Sequence, residues 1–150
     1  MKQKIVIGVL CLAVAILSGI CIHDRINNST LGVVYEKDDF DELYNTSEPN
    51  EIFVDLRDEK DYAKGHLSKF INVPFTGSDK DKDIMLSFFE DNYTKQNKYI
   101  LMCYSSKRAS SAFMFLKDEG YNNLILVNLM GEELINGSDD ISTGKCNCLD

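Results

Sequence analysis

The alternation of short apolar runs with amphipathic stretches constrains this chain more than any other feature. Leu31 to Tyr35, Ile52-Phe53-Val54, Phe70 to Val73, Tyr99 to Met102 and Leu124 to Val127 are apolar runs of strand length. Between them, Asp38 to Tyr44 reads as a short helix with acidic residues in its first turn. Asp79 to Tyr93 places Ile84, Phe88 and Phe89 at helical spacing, with Asp79 as its cap. Ala109 to Glu119 carries Ala112, Phe113, Phe115 and Leu116 and stops at Gly120. This order predicts an α/β domain with a central, mostly parallel five-stranded sheet flanked by helices. Chemistry in such folds gathers at the carboxyl ends of the strands.

Cys103 stands at one of those ends, between the apolar run Tyr99 to Met102 and the helical stretch from Ala109. A free cysteine is ordinarily a buried small hydrophobe. Here the loop Tyr104-Ser105-Ser106-Lys107-Arg108 leads directly into a helix. Backbone N–H groups and the positive helix end converge on a sulfur so placed and stabilise negative charge on it. Lys107 and Arg108 add two cations to that field. The arrangement predicts a nucleophilic thiolate.

Composition limits the alternatives. Sixteen Lys and Arg against 24 Asp and Glu give a net charge of −8, which repels a nucleic-acid backbone. At 150 residues the chain suits one domain. Residues 5–22 carry no charge and follow Lys2 and Lys4, so 1–22 reads as an N-terminal anchor or a signal segment. In the first case the membrane is a partner through this segment, and the domain sits outside the cytoplasm on a single-pass anchor. In the second, cleavage near Ala13-Val14-Ala15 secretes it. Ile20 ahead of Cys21 argues against a lipoprotein. Residues 23–30 read as a polar linker, 31–141 as the folded domain and 142–150 as a tail.

The five cysteines divide into Cys11 and Cys21 in the apolar segment, Cys103 alone, and Cys146 with Cys148 in the tail. Three in the exported part suit thiol chemistry better than a disulfide framework. Cys146 and Cys148 form either a redox pair that accepts sulfur from Cys103 or an inert disulfide. The two histidines, His23 and His66, lie apart, so no metal site and no cofactor are read from the chain.

Two blocks of residues carry a resemblance to a known family. Phe53-Val54-Asp55-Leu56-Arg57 is followed by Tyr62, Gly65-His66-Leu67 and Ile71-Asn72-Val73-Pro74. Cys103 to Arg108 is followed by Ala109, Leu116, Gly120-Tyr121 and Leu129 to Gly131. In this order and spacing they resemble the rhodanese-like, or sulfurtransferase, domain, over roughly residues 31–141. Three departures stand out. Ser106 replaces a loop glycine, Met130 replaces one of a later glycine pair, and the tryptophan that follows is missing, with Ile135 in its place. A serine that must adopt a positive φ carries strain, although its hydroxyl adds a donor.

The resemblance implies a persulfide relay. Cys103 takes the outer sulfur of a small anionic donor such as thiosulfate and passes it to a thiol or cyanide acceptor. Loop N–H groups of residues 104–108 would cradle the persulfide, with Tyr104, Ser105, Ser106, Lys107 and Arg108 forming the substrate-binding set. Arg108 either braces the loop or contacts the donor. Asp55, Arg57 and His66 are structural support by the same resemblance, since a thiolate needs no general base. Related phosphatases use a C-x5-R loop, and the tighter C-x4-R loop here favours sulfur over phosphate. The alternative is a non-catalytic rhodanese-like module for redox or partner binding at the membrane surface, with no particular protein partner read from the sequence.

Overall fold

A computed structural model describes residues 30–145. The N-terminal segment up to residue 29 and the pair Cys146 and Cys148 lie outside the described residues. No helix among the described residues is long and apolar enough to cross a membrane.

The chain runs β1 (Thr30–Val34), α1 (Lys37–Asn45), β2 (Glu51–Asp55), α2 (Glu59–Lys64), β3 (His66–Leu67) and β4 (Phe70–Asn72). It continues with α3 (Asp79–Asn92), β5 (Lys98–Met102), α4 (Lys107–Asp118), β6 (Asn123–Val127), α5 (Gly131–Asn136) and β7 (Ile141–Ser142). Five strands form one sheet in the order β1-β6-β5-β2-β4, and every pairing in it is parallel. The expected sheet was mostly parallel; the antiparallel element is instead a separate two-stranded pair, β3 with β7. Thr30 is the first residue of β1 rather than linker, and β7 carries the folded part past residue 141.

Both faces of the sheet are covered, and the period of two along each strand divides the core. Val54, Leu101, Leu124 and Leu126 point to one face and meet Met85 and Phe89 of α3 and Ala109, Ala112 and Leu116 of α4. Phe53, Ile100, Met102 and Phe70 point to the other and meet Phe40 and Tyr44 of α1 and Leu134 of α5. The same period decides where Cys103 goes. Met102 belongs to the second face, so Cys103, like Leu101, belongs to the first, where α4 packs.

Several local expectations shift. Ser78, not Asp79, caps α3: its side chain accepts the Asp81 N–H. Ile84 is exposed, and Met85 takes the core position beside Phe88 and Phe89. Helix α4 begins at Lys107, and Ala109, Ala112 and Leu116 form its buried stripe, with Phe113 and Phe115 half-buried. It ends as expected at Gly120 (φ 85°), where the Tyr121 N–H reaches the Leu116 carbonyl and the Gly120 N–H that of Lys117.

Candidate active site

Strand β5 delivers Cys103 to the carboxyl edge of the sheet, and α4 starts four residues later. The residue at the helix entrance is Ser106, in the left-handed conformation with φ 57° and ψ −12°. Among the described residues it is the only non-glycine with positive φ. Its hydroxyl does not cap the helix; it donates to the Ser105 carbonyl at 2.7 Å. The first turn of α4 is capped from elsewhere. The Ala109 backbone N–H points at Cys103 Sγ, 3.4 Å away. A sulfur therefore fills the acceptor role that a serine or aspartate side chain plays at ordinary helix starts.

This geometry sharpens the expected cradle. The N–H that meets the sulfur belongs to Ala109, just beyond the span 104–108. Cys103 is a free thiol and is 1% exposed. Tyr104 is exposed, Ser105 half-buried, and Lys107 exposed with no ion pair among the described residues.

Arg108 turns back to the sheet. Its Nη1 donates to the Leu56 carbonyl at 3.3 Å and meets Asp58 Oδ1 at 3.4 Å. Of its two expected roles, bracing is the one with partners in the structure. Gly131 closes the loop from the other side. Its N–H bonds the Tyr104 carbonyl at 3.0 Å, and a Cβ there would lie 2.4 Å from the Cys103 carbonyl oxygen. Only glycine lets α5 approach so closely. Met130, one residue before, is exposed.

Asp55 and Arg57 pair directly, and Arg57 also reaches the Gly65 carbonyl, next in the chain to His66. The buried Asp55 carboxylate accepts from Arg57 Nε and Nη2 at 2.9 and 2.7 Å and from the Arg57 backbone N–H at 2.9 Å. Arg57 Nη2 also reaches the Gly65 carbonyl at 2.9 Å. Asn72 Nδ2 bridges the carbonyls of Asp55 and Arg57. His66 bonds the Tyr62 carbonyl through Nδ1 at 2.9 Å and stacks on the Tyr62 ring at 3.6 Å. These groups tie strand ends to the α2 turn. Burial, with the Asp55 charge adding, pushes the Tyr62 hydroxyl up to about 12.

Beside the loop lies a cavity of about 350 Å³, lined among others by Arg57, Asp61, Lys64, Tyr104, Glu132 and Ile135. Two of these lining residues are bonded to each other: the Tyr104 hydroxyl donates to Glu132 Oε2. That bond, with the Glu132 charge, raises the Tyr104 hydroxyl above its usual range. Asp61 and Glu132 were not singled out in the sequence; single acidic residues in short helices carry no signal that sets them apart.

A five-stranded parallel sheet that hands a cysteine to the start of a helix defines a rhodanese-type α/β domain. The family model of the rhodanese-like domain matches residues 37–131, and the chain belongs to that family. Among solved structures, the rhodanese-like domain of Anabaena sp. Alr3790 is similar at 13% identity, covering 71% of this chain and 75% of that one, with a TM-score of 0.57. The rhodanese-like domain protein of Staphylococcus aureus is similar at 16% identity, covering 77% and 100%, with a TM-score of 0.56. The BH2092 protein of Bacillus halodurans is similar at 15% identity, covering 89% and 90%, with a TM-score of 0.54. At these identities the likeness is one of fold. None of the curated proteins matches the chain.

Proposed function

We propose that the protein is a sulfurtransferase that carries sulfane sulfur as a persulfide on Cys103. One observation carries the reading: Cys103 Sγ sits at the start of α4 and receives the Ala109 N–H at 3.4 Å. A helix N-terminus and a directed N–H are what a thiolate or a persulfide anion needs.

In the first step the Cys103 thiolate attacks the outer sulfur of a donor such as thiosulfate. The S–S bond of the donor breaks, sulfite leaves with the bonding pair, and Cys103 holds the persulfide. In the second step a thiolate or cyanide attacks the outer sulfur, the new S–S bond breaks, and Cys103 leaves as a thiolate. Lys107, exposed and unpaired among the described residues, is the loop cation available to an anionic donor, while Arg108 holds the loop to Leu56. Ser105 and Ser106 are half-buried residues of the loop, and Tyr104 lines the cavity beside it.

A non-catalytic role is favoured by one observation, the burial of Cys103 at 1% exposure. Mixing the full chain with thiosulfate or inorganic polysulfide and weighing the Cys103 peptide separates the two. A gain of one sulfur supports the enzyme; an unchanged mass supports the module.

A further inference from the structure

The cavity beside the Cys103 loop has an uneven charge balance. Arg57 is committed to Asp55 and to the Gly65 carbonyl. Lys64 pairs with Asp61 at 2.6 Å. Glu132 bonds the neutral Tyr104 hydroxyl and has no ion pair among the described residues, whereas the two cations of the lining, Arg57 and Lys64, are paired with Asp55 and Asp61. It is also held in place. It follows Gly131, whose backbone is bonded to Tyr104 and seated on the Cys103 carbonyl. A carboxylate with an anchored backbone and no ion pair among the described residues therefore stands beside the loop that presents the sulfur.

We propose that Glu132 is a specificity-determining residue for the sulfur acceptor, and that the acceptor is a small thiol bearing an ammonium group. The inference rests on the persulfide reading of Cys103. A cavity of about 350 Å³ has the size of a small-molecule site. Glu132 Oε2 is taken by Tyr104. The other oxygen is left to receive an ammonium N–H, a charge-assisted bond. The acceptor's thiolate attacks the outer sulfur of the Cys103 persulfide, the S–S bond to Cys103 breaks, and the electron pair returns to Cys103 Sγ. The acceptor leaves as its own persulfide, and its thiol proton goes to solvent. A carboxylate-bearing thiol meets repulsion from Glu132 in the same place.

The test uses the full chain, loaded with sulfur by inorganic polysulfide and freed of excess. Discharge of Cys103 is timed with cysteamine, 2-mercaptoethanol and 3-mercaptopropionate. Each rate is divided by that thiol's rate with a small-molecule persulfide at the same pH, which removes differences in intrinsic nucleophilicity. The expected result is a preference of about tenfold for cysteamine over 3-mercaptopropionate at low salt, the size of one close charge contact at a protein surface. Glu132→Gln, which keeps an acceptor for Tyr104, should reduce that ratio severalfold, and so should high salt. Equal normalised rates in the unmodified protein, or a preference that Glu132→Gln leaves intact, overturn the proposal. A Cys103 that takes up no sulfur overturns the sulfur-transfer reading and this one with it.

Discussion

Cys103 Sγ caps helix α4 by accepting the Ala109 backbone N–H at 3.4 Å, so the candidate nucleophile is also part of the fold's own hydrogen bonding. A thiol in that position does two things at once. It stands at the helix start, and it satisfies a buried N–H that the Ser106 side chain does not cap.

Replacing the sulfur separates these roles. Cys103→Ala and Cys103→Ser should both abolish persulfide formation. Cys103→Ala also leaves the Ala109 N–H without an acceptor and should lower stability by about 1 kcal/mol, as loss of a helix cap does. Cys103→Ser keeps an acceptor and should unfold closer to the unmodified protein. Denaturant midpoints of the two variants measure the difference; equal midpoints would remove the capping role.

Ser106 pays the cost of the left-handed region without capping the helix. Ser106→Gly should therefore raise stability by about 1 kcal/mol. Sulfur transfer should persist, because the hydroxyl is bonded to the Ser105 carbonyl and not to the sulfur. A glycine variant that folds normally but loses transfer would assign the hydroxyl a chemical role.

Gly131→Ala tests the close approach of α5. The added Cβ would fall 2.4 Å from the Cys103 carbonyl oxygen, which is backbone and has little room to give. The expected loss is about 1–3 kcal/mol, with slower loading of Cys103 as the loop shifts. A neutral substitution in both stability and loading would show that α5 moves aside freely.

Arg57→Met leaves the buried Asp55 carboxylate without its guanidinium. Breaking one partner of a buried pair costs about 3–5 kcal/mol. Urea denaturation should show that loss, and Cys103 alkylation should speed up as the Cys103 loop loosens.

Alkaline pH should unfold the protein through its buried tyrosines. Burial raises the hydroxyls of Tyr44, Tyr62, Tyr99 and Tyr121, so the folded state holds their protons more tightly than the unfolded one. Their contribution is complete below the ordinary value of 10.0 and is lost as pH rises through the folded values, with Tyr62 at about 12. Stability measured from pH 8 to 12 should be flat below 10 and fall above it. Tyr62→Phe should lessen the fall.

Much of the site was legible because it is local. The apolar run before Cys103, the loop and the helix after it are contiguous, so periodicity and the helix start were enough to place the sulfur at a helix N-terminus. The two motif blocks likewise located Asp55, Arg57 and Gly131. The short elements α2, α5, β3 and β7 were not legible, because two to six residues hold too little periodicity to stand out from a loop. The cap of α3 was misplaced by one residue, since Ser78 and Asp79 are both good caps and only the backbone angles choose between them.

The sequence by itself determined that strands and helices alternate, that a cysteine lies between one strand and the next helix, and that its loop is short. Those features depend on neighbours along the chain. Tertiary structure alone decided that the capping N–H comes from Ala109, that Arg108 turns to Leu56 and Asp58, and that Glu132 shares a cavity with Tyr104 of the loop. Each of these joins residues whose distance is set by the packing of α4 and α5 on the sheet edge. No local propensity encodes such a distance, because it is fixed only when both faces of the sheet have been covered.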